Sequence, residues 1–280
     1  MKKYQCYRFT TENESQSEIL IAQLDTLEPI GFKEEDQDVF VYFDQLSISK
    51  NQIDHIAENL NLSYEETSIE EENWNAKWES GFEPISVLDP IDQSLFAFIR
   101  ASFHDINENA RYSVEITPKM SFGTGHHATT YLMIEAMCSL EFKNKNVLDF
   151  GTGTGVLAIL AEKMGAKKII AIDNDDWSLE NTLENAEKNH SENITLIKAE
   201  SCVTVNDFSS DIILANINFN VIVDNLEAIK LNATMGTIVL FSGILEGDVT
   251  NLSKELTSAG FYIHEVRIRN GWAMIYTRLN

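Results

Sequence analysis

The chain has 280 residues, 44% of them apolar, only four prolines, and a formal net charge of −23. That length and apolar share support a full hydrophobic core and exclude a disordered chain, while the excess of carboxylates argues against direct nucleic-acid binding, which needs lysine and arginine to neutralise phosphates. The three scattered cysteines Cys6, Cys138 and Cys202 form neither a disulfide framework nor a metal knuckle, and no apolar run has the length of a membrane span or the pattern of a secretory signal, so a cytoplasmic, membrane-free monomer is expected.

Tyr4–Thr11 reads as a strand and Ser17–Leu27 as an amphipathic helix. GFKEE and DVFVYFD form a predicted hairpin across Asp36-Gln37. Ser49 is a candidate N-cap for a helix through NQIDHIAENL, and a weak strand follows near Leu62–Ile69. The order βαββαβ predicts a small α+β, ferredoxin-like domain over residues 1–70, serving as a substrate-recognition module. Residues 71–84 read as a linker that continues the acidic run from Glu65. Its Trp74 and Trp78 are spaced to share one helix face, more simply a packing face than a base-binding one.

From residue 85 to 280 strands and helices alternate, which predicts a mainly parallel, Rossmann-like sheet with crossover helices. The polar loop FGTGHHATT precedes the helix YLMIEAMCSL, which Thr129 or Thr130 can cap. Strand-like DIILA, helical VIVDNLEAIKL, strand-like TIVLFS and helical VTNLSKELTSAG follow in turn. The final segments YIHEVRIR and WAMIYTRL join through Asn270-Gly271, a strong hairpin signal that adds an antiparallel edge. Adjacent His126 and His127 have no carboxylate or cysteine at ligand spacing, so no metal site is expected.

The most informative stretch is VLDFGTGTGVLAIL followed by IIAID. It reads as a strand, a glycine turn (Gly151, Gly153, Gly155), a helix and a second strand ending at Asp173. A carboxylate there can accept hydrogen bonds from both hydroxyls of a ribose. A dinucleotide site wants a third glycine where Val156 stands. Asp149, two residues before Gly151, is awkward beside a pyrophosphate and useful beside a positively charged amino-acid moiety. The ligand that fits is S-adenosylmethionine, which has a ribose, a sulfonium and an ammonium but no phosphate. Asn216, at the end of a buried strand, is either a turn former or an amide that contacts the cofactor or orients an amine. Trp272 either lines the same mouth or packs in the core.

Through WNAKWESGFEPI, SFGTGHHATT, VLDFGTGTGVLAI, AIDNDDWSLENTLEN, LANI and GWAMIY, the chain resembles the ribosomal protein L11 methyltransferase family, PrmA. The family pattern usually has Thr-His-Pro-Thr-Thr after FGTG, where this chain has His126-His127-Ala128-Thr129-Thr130. The resemblance implies a class I S-adenosylmethionine-dependent enzyme that methylates the α-amine and selected lysine ε-amines of one basic ribosomal protein. It implies Thr130, Gly151, Asp173 and Asn216 as cofactor contacts. From the motifs themselves, Asp149, Gly153, Gly155, Phe122 and Gly123 join the candidate cofactor set, Asn216 is the candidate catalytic residue, and His126 and Trp272 are candidates on the substrate side. The alternative is a class I methyltransferase acting on another protein or on a small-molecule amine.

Overall fold

Alternation along β1 (Lys3–Thr10) sends Tyr7 and Phe9 to one face of a sheet, where both are buried. The same period along β3 (Asp38–Asp44) buries Val39, Val41 and Phe43. With β2 (Gly31–Glu35) and β4 (Tyr64–Glu70) these strands make an antiparallel sheet in the order β2-β3-β1-β4. Helices α1 (Glu14–Asp25) and α2 (Lys50–Leu60) add Leu20, Leu24, Ile53 and Ile56 to one apolar cluster. Asn13 caps α1 by accepting the Gln16 N–H at 3.0 Å, so that helix starts earlier than the predicted Ser17. Ser49 caps α2, and its N–H donates to Gln52 Oε1 at 3.2 Å.

The structure, a computed structural model, describes residues 3–11, 13–27, 29–35, 37–44, 48–70, 82–117, 126–202 and 208–280. The chain divides into two compact units, Met1–Trp78 and Glu79–Asn280. Trp74 and Trp78, and Phe122 and Gly123 of the FGTG loop, lie outside the described residues.

The second unit opens with an element the sequence reading did not anticipate. Strands β5 (Ile85–Leu88), β6 (Leu95–Arg100) and β7 (Tyr112–Glu115) form a separate three-stranded sheet. Its main sheet has seven strands in the order β10-β9-β8-β11-β12-β14-β13. These are β8 (Asn146–Phe150), β9 (Lys168–Asp173), β10 (Ile194–Lys198), β11 (Ser210–Asn216), β12 (Ala233–Leu245), β13 (Phe261–Arg269) and β14 (Trp272–Leu279). The first five pair in parallel, and β14 and β13 run antiparallel at one end. Asn270 and Gly271, both at positive φ (51° and 77°), make the tight turn between β13 and β14.

Both faces of the parallel strands are apolar, as two flanking helix layers require. On one face Val147, Ile169 and Leu214 pack against α3 (Ala128–Met137) and α4 (Val156–Lys163). On the other, Leu148, Ile213 and Phe241 pack against α6 (Phe219–Leu231) and α7 (Val249–Ser258). The N-cap of α3 is His127, whose side chain accepts the Thr129 N–H; Thr129 and Thr130 lie inside the helix rather than capping it. The chain leaves β8 toward β9 and β10, then returns to β11 on the opposite side of β8. That reversal opens a crevice at the carboxyl ends of β8 and β11, where ligands of such sheets bind.

Candidate functional site

A cavity of about 640 Å³ occupies that crevice. Gly151 and Gly153 of the turn after β8, Asp173 at the end of β9, Asn216 at the end of β11 and Trp272 at the start of β14 all line it. The sequence reading had singled out each of them on separate grounds. His127, Asn174, Glu200, Asn218, Asp224 and Gly243 also contribute.

The glycine turn is held from below by helix α5 (Asp176–Lys188). Thr182 Oγ1 donates to the Gly153 carbonyl at 2.8 Å and Asn185 Nδ2 to the Thr154 carbonyl at 2.8 Å. Both side chains are fully buried. The same Asn185 accepts the Thr117 N–H at 2.7 Å through Oδ1, so one side chain ties together the turn and the start of the segment leading to FGTG. With its carbonyls fixed on the helix side, the turn sends backbone to the cavity surface. Gly151, at φ +79°, also lies where any Cβ would run into the Ile217 side chain.

Asp173 is half-exposed. Its Oδ2 accepts the Gly153 N–H at 2.9 Å and its Oδ1 the Asp175 N–H at 3.1 Å. Each oxygen keeps a further lone pair for a ligand hydroxyl. Asp149 lies under the turn, 1% exposed, with Thr152 Oγ1 donating to its Oδ2 at 2.7 Å and its Oδ1 lacking a partner. Burial, with the nearby charge of Asp173, pushes its pKa up to about 7.

Asn216 is buried and faces α3. Its Nδ2 donates to Thr130 Oγ1 at 3.2 Å, which leaves Oδ1 as an acceptor with no partner among the described residues. A buried amide oxygen left alone costs about 1–3 kcal/mol. Thr130 itself does not line the cavity; it fixes the amide that does. Gly155 N-caps α4. His127 stands edge-on to Trp272, ring centroids 4.5 Å apart. His126 turns elsewhere, edge-on to Phe82 at 4.6 Å, and is not a lining residue. Burial pushes both imidazoles down in pKa. The titratable lining is His127, Asp173, Glu200 and Asp224, without lysine or arginine among the described residues. That is a setting for a cationic ligand and an amine substrate, and the wrong one for a pyrophosphate. Among the described residues, no group of three or more His, Cys, Asp or Glu side chains is placed to hold a metal.

Residues 2–280 match the profile of a family described as "Ribosomal protein L11 methyltransferase (PrmA)". The chain belongs to this family. A Bacteroides thetaiotaomicron protein named ribosomal protein L11 methyltransferase is 32% identical over 280 residues, covering 98% of each chain. One of the same name from Porphyromonas gingivalis is 37% identical over 204 residues, covering 72% of this chain and 68% of its own. The crystal structure of a ribosomal protein L11 methylase from Lactobacillus delbrueckii subsp. bulgaricus superposes with a TM-score of 0.61 at 28% identity, covering 66% of this chain and 95% of that one. The seven-stranded sheet is therefore the class I methyltransferase sheet of a PrmA protein.

A further glycine, in mid-strand and passed over in the sequence reading, shapes the same cavity wall. Gly243 sits in β12 at φ +87°, where the ladder with β14 shifts register. The turn after Asn216 crosses it so closely that a Cβ there would overlap the Ile217 carbonyl and lie 2.9 Å from the Ile217 nitrogen. Ile217 N–H donates to the Ser242 carbonyl at 3.0 Å, fixing this approach. Gly243→Ala is expected to cost about 3 kcal/mol of stability, or to displace Asn216 instead. Thermal unfolding, read beside methyl-transfer activity, separates those results from the unchanged protein that a roomy site would give. Only a glycine in mid-strand signalled the position beforehand.

Proposed function

We propose that this PrmA protein transfers methyl groups from S-adenosylmethionine to amines of ribosomal protein L11, namely its N-terminal α-amine and lysine ε-amines. The observation that carries the reading is the cavity's polarity. Two buried oxygens without partners, Asp149 Oδ1 and Asn216 Oδ1, lie at or beneath its wall, and its charged lining residues are acids. That set fits a ligand bearing a ribose, an ammonium and a sulfonium. In this reading Asp173 takes the ribose hydroxyls, the turn at Gly151 and Gly153 admits the ligand's backbone-like contacts, and Asp149 supplies negative charge near the amino-acid end. Residues 1–70 act as the recognition module and 71–84 as the link to the methyltransferase domain.

S-adenosylmethionine brings an electrophilic methyl on a positive sulfur. What remains for the protein is alignment and dehydration of the attacking nitrogen. The amine must be neutral to attack. At pH 7 this costs about 1 kcal/mol for an α-amine of pKa ~7.8 and about 4.6 kcal/mol for a lysine of pKa ~10.4. Asn216, its amide fixed by the Thr130 hydroxyl, accepts an N–H of that amine through Oδ1 and aims its lone pair at the methyl. Trp272 and His127 wall the amine's approach, and the proton passes to solvent.

Calorimetry with S-adenosylmethionine and, separately, NAD tests the cofactor assignment. Saturable binding of the first and none of the second is expected. Preference for NAD would overturn it.

A further inference from the structure

Asp149 is a carboxyl group that the fold leaves half satisfied, with one oxygen bonded to Thr152 and the other buried without a partner. Among the described residues, its surroundings supply no positive charge. β9 contributes the carboxylate of Asp173; β11 presents Leu214 at the same register, and α4 the Ala158 backbone amide. The next two residues, Phe150 and Gly151, are already cavity wall, and the other titratable groups around that cavity are His127, Glu200 and Asp224. A carboxylate in this position is an anion for which the described residues provide no cation.

We infer that a cationic ligand is the missing counter-ion of Asp149, and that cofactor binding drives a proton off this residue. The inference rests on the cofactor reading above. In the free protein the carboxyl is largely protonated below neutral pH, because burial and Asp173 disfavour its charge. When the ammonium and sulfonium enter, the carboxyl O–H bond breaks, the proton goes to the buffer, and the carboxylate stays opposite the ligand's charge. Binding and ionisation are then linked. Affinity climbs about tenfold per pH unit while Asp149 starts protonated, levels off near pH 7, and falls again as the ligand's own α-amine, of pKa ~8, loses its proton. The same group has the opposite effect on the free fold. A carboxyl whose folded pKa is raised favours the native state below its unfolded pKa of ~3.9, and this contribution is lost as pH rises toward 7.

The test is calorimetry of S-adenosylmethionine binding at about pH 6 in two buffers of different ionisation enthalpy. Release of close to one proton is expected, shrinking to none at about pH 7.5, where proton uptake by the ligand's α-amine offsets it. Asp149→Asn, which keeps the volume and the acceptor for Thr152, is expected to release none and to bind with an affinity flat across that range. Adenosine, which carries the ribose and base without a cation, is expected to release none from the unaltered protein, so the result does not depend on the variant folding. Binding of S-adenosylmethionine with no proton release, or equal release from Asp149→Asn or with adenosine, overturns the inference and leaves the cofactor assignment standing. Absence of binding at every pH overturns both.

Discussion

Asp173→Ala is expected to weaken S-adenosylmethionine binding at least a hundredfold. Both oxygens of Asp173 are already oriented by backbone N–H groups, from Gly153 at 2.9 Å and Asp175 at 3.1 Å. The carboxylate is therefore fixed in place before ligand arrives, and little ordering remains to be done on binding. Each hydrogen bond from a ribose hydroxyl to a charged acceptor contributes about 1.5–3 kcal/mol, so losing two gives roughly a hundredfold or more in Kd. Asp173→Asn keeps the shape and one acceptor, and is expected to fall between the two. Calorimetry supplies the measurement, with circular dichroism to confirm the fold. An affinity within a factor of about three of the unaltered protein, less than 1 kcal/mol, would mean that the ribose is held by other groups.

Asn216→Ala is expected to produce the second large effect, in turnover more than in cofactor affinity. The Thr130 hydroxyl accepts from Nδ2 at 3.2 Å and thereby fixes the orientation of the amide, whose Oδ1 is buried. On the proposed role of Asn216, removing the amide takes away the acceptor that orients the attacking nitrogen, and a misaimed nucleophile loses on the order of 10²-fold in kcat. Loss of a single neutral contact weakens the cofactor by less, about tenfold at most. Thr130→Val leaves Asn216 in place with Nδ2 unpaired, and an intermediate loss of kcat, about tenfold, is expected from a loosened amide. Steady-state kinetics beside equilibrium binding distinguish these cases. Full turnover by Asn216→Ala with normal affinity would remove Asn216 from the reaction.

What could be read from the sequence was what is encoded locally. A buried strand, three glycines at alternate positions and a carboxylate one strand later are close in the chain, and the backbone conformation they demand is intrinsic to glycine. Asn270-Gly271 announced its hairpin for the same reason. Asn216 and Trp272 were harder, because a strand-end amide and a lone tryptophan each have a packing explanation, and only the fold places both on one cavity. Gly243 gave little warning: its need for a missing Cβ arises from Ile217, which approaches from a different strand. Thr182 and Asn185 look like polar positions of an ordinary amphipathic helix. Their burial under the glycine turn is a tertiary fact, although asparagines at four-residue spacing (Asn181, Asn185, Asn189) on one helix were a usable hint. The cap of α3 was misplaced for a related reason. His127 competes with two threonines that are stronger cap formers, and its ring is held there by Trp272 from the distant last hairpin. The three-stranded sheet of β5, β6 and β7 escaped notice because its strands are short and separated by long turns.

The measurement that bears most directly on the whole account is mass spectrometry of purified ribosomal protein L11 after incubation with this protein and S-adenosylmethionine. Mass gains in steps of one methylene are expected, located at the N-terminus and at lysines, and absent when Asp173→Ala replaces the unaltered protein. An unchanged L11 mass, in the presence of an enzyme that demonstrably binds the cofactor, would contradict the assignment of this substrate and send the methyl group to a different amine.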